Sequence, residues 1–159
     1  MCVCMRGYVA ATWNKMWKLN SDELKSKTIG WRTENSIHRI KRPSRLDRAR
    51  KLGYKAKQGI IMVRARVGRG GMRKQRPVSG RRPKHLGVVH IKQGISMQHV
   101  AERRVLKSFP KMESLGSYYL HKDGRYLWYE VILADPSHPS ISHDKEMRRR
   151  LKAFGKNTR

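Results

Sequence analysis

Apolar and polar residues alternate most cleanly over residues 59–67, Gly-Ile-Ile-Met-Val-Arg-Ala-Arg-Val. Ile61, Val63, Ala65 and Val67 fall on one side, and Arg64 and Arg66 on the other. A period of two predicts a strand with a core face and an arginine face. Residues 5–19 repeat instead at helical spacing. Met5, Tyr8, Val9, Thr12, Trp13, Met16 and Leu19 share a side, with Lys15 and Lys18 off it. The pattern predicts a helix docked on the core, in preference to one lying on a membrane surface. Asn20 is then placed to cap a second helix, with Glu23 at its third position and Leu24, Thr28 and Trp31 on its buried side.

Further on, Ser96 precedes Met97, Val100, Ala101, Val105 and Phe109, which share a helical face, and Pro110 follows. A capped helix over 96–109 is expected. Leu86, Val88 and Val89 suggest a short strand at 86–92. Asp123-Gly124 lies between two apolar runs and predicts a two-residue hairpin turn within 117–134. Counting outward pairs Leu120 with Leu127 and Tyr118 with Tyr129 on one face. Tyr119 then faces Trp128, and His121 faces Tyr126, on the other. Asp135-Pro136 closes the second strand. The resulting architecture is α+β, a small antiparallel sheet with flanking helices and long basic extensions. We expect one domain over 1–159, with 68–85 a basic loop or extension and 139–159 a short basic C-terminal tail.

Charge changes this picture most. Lys and Arg number 38 against 11 Asp and Glu, a net charge of +27. A free globular protein repels itself at such a charge, and a polyanion removes that cost by releasing its counterions. Ile, Leu, Val and Phe make up only 32 of 159 residues, so the core is thin. From Ile37 to His85 there are 18 Lys or Arg and one acid, Asp47. An ordinary solvated surface mixes both signs, and this run does not. Within it, Ser44-Arg45-Leu46-Asp47 has capping-box spacing and Gly53 offers a stop, predicting a helix at 44–52 that carries Arg45, Arg48, Arg50 and Lys51. Arginine forks suit phosphate. Tyr54, among Lys51, Lys55 and Lys57, is equally suited to stack on a base or to join the core.

Candidate chemistry is sparse. Gly68, Gly70 and Gly71 follow a strand, but neither a Gly-Lys-Ser/Thr sequence nor a helix comes after them. Flexible chain passing close to RNA is the better reading. His138, His143, Asp144 and Glu146 could form a metal or nuclease cluster, yet their spacing matches no known ligand or triad pattern. Cys2 and Cys4 lack the second pair of a zinc site. We therefore expect no catalytic residue, metal, cofactor or small-molecule substrate. No stretch approaches the ~18 apolar residues of a membrane span, and the start lacks the features of a signal peptide. An intracellular, reduced protein is expected.

Arg42 to Gly59, Arg-Pro-Ser-Arg-Leu-Asp-Arg-Ala-Arg-Lys-Leu-Gly-Tyr-Lys-Ala-Lys-Gln-Gly, is long and specific. With the strand Ile60–Val67, Arg69-Gly-Gly71, Val100–Val105 and Tyr129–Pro136 with His138, it resembles the archaeal and eukaryotic type of large-subunit ribosomal protein fifteen. That family is distinct from the bacterial protein of the same number. The resemblance runs from about Gly7 to about His138. It implies a non-catalytic constituent of the cytoplasmic ribosome, bound to large-subunit ribosomal RNA and neighbouring large-subunit proteins. Members of that family continue past the Asp-Pro-x-His region into a longer Gly- and Arg-rich tail, whereas this chain ends at Arg159. The brevity and character of the chain suggest an archaeal source.

The expected RNA contacts are Arg39, Lys41, Arg42, Arg45, Arg48, Arg50, Lys51, Tyr54, Lys55, Lys57, Arg64, Arg66 and Arg69. Arg73, Lys74, Arg76, Arg81, Arg82, Lys84, His85, Arg148 and Arg149 continue the set. Two other readings compete: an RNA-processing or nuclease enzyme using the His138–Glu146 cluster, and a non-specific DNA-packing protein.

Overall fold

β-branched and aromatic residues dominate Ile60–Gly68 and Tyr126–Ala134, and these two strands pair at the middle of the fold. The computed structural model describes residues 5–19, 21–71, 74–88 and 94–155. In chain order it contains α1 (Met5–Lys18), α2 (Asp22–Thr33), β1 (Ile37–Ile40), α3 (Leu46–Lys51), β2 (Ile60–Gly68), α4 (Met97–Ser108), β3 (Glu113–Lys122), β4 (Tyr126–Ala134), α5 (Pro139–Ser142) and α6 (Lys145–Gly155). The four strands form one antiparallel sheet in the order β1-β2-β4-β3. The fold is α+β, as the alternation predicts.

The pleat divides the core in two. Val63, Ala65 and Val67 of β2, with Tyr129, Val131 and Leu133 of β4, pack under Ala101 and Val105 of α4. The opposite face presents Met62, Trp128, Ile132 and Ala134 to Trp13 of α1, Leu24 and Trp31 of α2, Ala49 of α3 and Met147 and Leu151 of α6. Both faces are therefore covered. The arginine face of β2 does not lie open, because α2 and the residue after it close over it.

Several expectations hold. Ser96 accepts a hydrogen bond from the His99 amide at 3.2 Å and caps α4. Leu24, Thr28 and Trp31 are the buried residues of α2. Others are corrected. The helix at 5–19 forms, but of the described side chains of its stripe, which exclude Met5, only Trp13 is buried; Tyr8 and Leu19 are 63% and 68% exposed. Residue 21, not Asn20, occupies the cap position of α2, and Asn20 lies outside the described residues.

The hairpin closes in a different register. Lys122 pairs with Leu127, His121 with Trp128 and Tyr119 with Tyr129. The turn accounts for this offset, and the register shift at Leu120 takes back one residue of it. The Asp123 carboxylate accepts from the amides of Arg125 and Tyr126, each at 2.7 Å, so Asp123 opens the turn and does not occupy its centre.

The expected strand at 86–92 is absent from its described part, 86–88, where Leu86 instead ends a 3-10 turn at Pro83–His85; residues 89–93 lie outside the description. From Lys145 to Gly155 the C-terminal segment forms the helix α6. Met147 and Leu151, four residues apart, lie on one face of α6 and are buried, while Arg148 and Arg149 are exposed on the other. Each buried side chain contributes ~1.5–3 kcal/mol toward holding the helix on the sheet.

Candidate nucleic-acid interface

The basic block after β1 is held in place by an acid from β4. Glu130 is fully buried, on the same face as Trp128 and Ile132. Its carboxylate accepts the Ser44 amide at 3.1 Å and the Tyr118 hydroxyl. Burial raises the Glu130 pKa, and the hydrogen bonds from Ser44 and Tyr118 oppose that shift only in part. Burial and the neighbouring carboxylate together push the Tyr118 hydroxyl far above its usual range. Ser44 is thereby spent on the sheet. It does not cap α3, which begins at Leu46 with Arg45 in the cap position and no side-chain cap bond.

α3 ends as the glycine predicts. Gly53 adopts φ +97°, the Gly53 amide donates to Arg50 and the Tyr54 amide to Ala49, closing a Schellman turn. Between these ends Ala49 faces the core, and Arg48, Arg50 and Lys51 are exposed. Asp47 is buried beside Arg45 at 3.4 Å, and the Arg45 guanidinium lies 5.3 Å from the Trp13 ring centre. Arg45 thus works inside the protein, joining α3 to α1.

Other expected contacts divide in the same way. Arg39, Lys41, Arg42, Lys74, Arg81, Arg82, Lys84 and His85 are exposed and have no ion pair among the described residues. Arg148 and Arg149 are likewise exposed on α6. Arg69 and Arg76 are exposed but donate to the carbonyls of Asp123 and Leu86. Arg73 lies outside the described residues. Tyr54 is half-buried and packs against the core while keeping part of its surface open.

Arg64 is turned inward. It is 8% exposed, its Nε and Nη2 donate to Glu34, and its guanidinium sits 4.8 Å from the Trp31 ring centre. Neither its charge nor its donors face outward. Arg66 donates to the Arg32 carbonyl at 2.6 Å and stacks over Tyr126 at 4.7 Å. Both belong to the packing between α2 and the sheet.

Lys55 and Lys57 meet the acids of the supposed metal or nuclease cluster. Lys57 pairs with Asp144 at 2.8 Å; Lys55 reaches Asp144 at 3.3 Å and Glu146 at 3.2 Å. Asp144 also accepts the amides of Glu146 and Met147 and so caps α6. The Lys57 hydrogen bond, followed by that of Met147, holds the Asp144 carboxyl far below its usual range. Lys55 and Arg150 lower Glu146 in the same way. These acids are spent on structure. No group of three or more His, Cys, Asp or Glu among the described residues is placed to hold a metal.

Sequence reasoning passed over Glu130 and the exposed Arg103, Arg104 and Lys107 of α4 as site residues. The α4 cations were detectable as charges lying off the apolar stripe. Glu130 was detectable as an acid inside an apolar run, on the alternation of Trp128 and Ile132. No helix among the described residues is long and apolar enough to cross a membrane.

Comparison with known proteins fits this arrangement. Over 140 residues the chain is 49% identical to the large ribosomal subunit protein eL15 of Metallosphaera sedula, an alignment covering 87% of this chain. The chain spans 64% of that relative's length. The model of the family described as Ribosomal L15 matches residues 4–156, nearly the whole chain, and the chain therefore belongs to the ribosomal L15e family.

Proposed function

We propose that the chain is a structural constituent of the large ribosomal subunit. It binds and stabilises large-subunit ribosomal RNA, lies beside other large-subunit proteins in the cytoplasmic ribosome, and catalyses no reaction of its own. The observation that carries this reading is the set of exposed cations without ion pairs among the described residues, at Arg39, Lys41, Arg42, Arg48, Arg50 and Lys51 and again across 74–84. A folded two-faced core holds the first group rigidly, anchored through Glu130 to Ser44. Bound phosphates would replace the counterions of these groups and supply most of the affinity. Family membership supports the reading, and the use of Asp144 and Glu146 in ion pairs weakens the enzyme alternative.

Sedimentation tests it. The tagged chain should travel with large subunits through a salt wash that strips loosely bound proteins. Recovery only in the soluble fraction or on DNA would reject the proposal. For the purified chain on RNA, neutralising about ten phosphates gives a log–log salt slope near −7 to −9. A slope shallower than about −3 would assign most of the charges to another purpose.

A further inference from the structure

Two clefts flank the Schellman turn after α3, and Tyr54 is the one residue that lines both. The first has a volume of about 490 Å³, within the range of pockets that enclose small organic ligands. Ile40, Ile60 and Met62 supply the apolar half of its lining, and the exposed Arg39 and Lys41 line it as well. The second, about 730 Å³, is cationic: Arg50, Lys51, Lys55 and Arg150 line it, and its one acid, Glu146, already pairs with Lys55 and Arg150.

We propose that Tyr54 and these clefts hold one unpaired nucleotide of an RNA strand. The base lies on Tyr54 against the apolar side of the first cleft, and the phosphates on its two sides meet Arg39 and Lys41 in that cleft and Arg50 and Lys51 in the other. The inference rests on the RNA-binding reading above and adds a local specificity to it.

The chemistry of a strand fits the order of the surfaces. Each base in a strand lies between two phosphates, as the Tyr54 cleft lies between two cationic patches. Bases within a duplex are stacked and paired, so a cleft with an aromatic wall and an apolar side selects an unpaired one. The charge disfavours basic peptides, because no unpaired acid lines either cleft to receive a basic side chain. Tyr54 is also fixed before binding. Its amide donates to Ala49 at 3.0 Å, and its ring packs on the core. A Cβ at Gly53 would come within 2.8 Å of Arg150 Nη1, so the glycine lets that arginine lie close beside the turn.

The test uses the full chain and a short single-stranded oligouridine carrying one 2-aminopurine, with an RNA duplex of equal length as control. Binding should quench the 2-aminopurine. Tyr54→Leu should abolish the quench and weaken single-strand binding roughly tenfold to a hundredfold. Tyr54→Trp should preserve both, and neither variant should alter duplex affinity. Unchanged single-strand binding by Tyr54→Leu overturns the proposal, as does equal weakening for both RNA forms. Should Tyr54→Leu lose its thermal transition, the exposed pair Arg39→Gln with Lys41→Gln decides. Single-strand binding must then fall more than duplex binding, and equal loss rejects the site. Wild-type protein that binds duplex but not single strand removes only this inference. Binding of neither form at moderate salt removes the RNA reading as well.

Discussion

The Arg64 guanidinium closes on the Glu34 carboxylate through two nitrogens, Nε at 3.1 Å and Nη2 at 2.7 Å, beneath the Trp31 ring. The pair joins the end of α2 to the central strand β2. An arginine in a basic run has here become an internal strut.

Removing one partner leaves the other charge poorly solvated. Glu34→Ala should therefore destabilise the protein by about 2–4 kcal/mol, somewhat less than for a fully buried pair because Glu34 keeps 27% of its side-chain exposure. Arg64→Met, which retains volume against Trp31, should cost less. Chemical denaturation measures both. RNA affinity and its salt slope should stay unchanged in Arg64→Met, and a slope shallower by about one phosphate would put Arg64 back among the contacts.

Glu130 should make stability depend on pH with an unusual sign. Its folded pKa is raised by burial, so the folded state holds the proton more tightly than the unfolded chain does. The associated stability is complete below the unfolded value of 4.5 and is lost as pH rises through the higher folded value. Glu130→Gln should flatten that part of the profile. Glu130→Ala should destabilise by about 2–4 kcal/mol, because the Ser44 amide and Tyr118 hydroxyl lose their acceptor. Denaturation across pH 4–8 (about the carboxylate-to-neutral range) compares the three proteins.

Asp144 behaves oppositely. Its depressed pKa means that its hold on the start of α6 is in place above 3.8 and fades as pH falls through the folded value. Asp144→Asn with Glu146→Gln should speed hydrogen exchange at the amides of Glu146 and Met147. The same change releases Lys55 and Lys57. RNA binding should then tighten, and its salt slope should steepen by roughly one to two phosphates. An unchanged slope would mean that these lysines serve α6 alone.

The exposed cations of α3 should matter most for assembly. Arg48→Gln, Arg50→Gln and Lys51→Gln preserve side-chain length and helix propensity. Together they should prevent incorporation into large subunits, at ~1.5–3 kcal/mol for each charge-assisted bond that RNA buries, while the thermal transition stays in place. Gln at Lys15, Lys18 and Lys122 provides the control set. Loss of incorporation by the control set alone would move the contact elsewhere.

Local signals were legible where a single segment decides the outcome. Ser96 and Pro110 bound α4, and the alternation through 60–67 predicts β2. Alternation shows which residues share a face but not what covers it. The covering of Arg64 depends on Glu34, 30 residues away, and so escaped notice. The hairpin strands were visible, but their register depends on irregularities at Leu115 and Leu120 and on the Asp123 carboxylate. In α6 the spacing of Met147 and Leu151 was present and was outweighed by the arginines between them. The charge of the interface was plain from composition. The separation of free cations from internally paired ones required the fold.

The hydrogen bond from Ser44 to Glu130 spans 86 residues of chain. A nascent chain emerges N-terminus first, so the arginines of α3 leave the synthesising ribosome well before their anchor exists. β2 must also wait for β4, and Lys57 for Asp144. Throughout that interval the block is a cationic thread in a medium full of RNA. Its ordering is therefore a late event in synthesis, governed by long-range closure. A chaperone that shields residues 39–57 until Glu130 emerges would act at the point of greatest exposure.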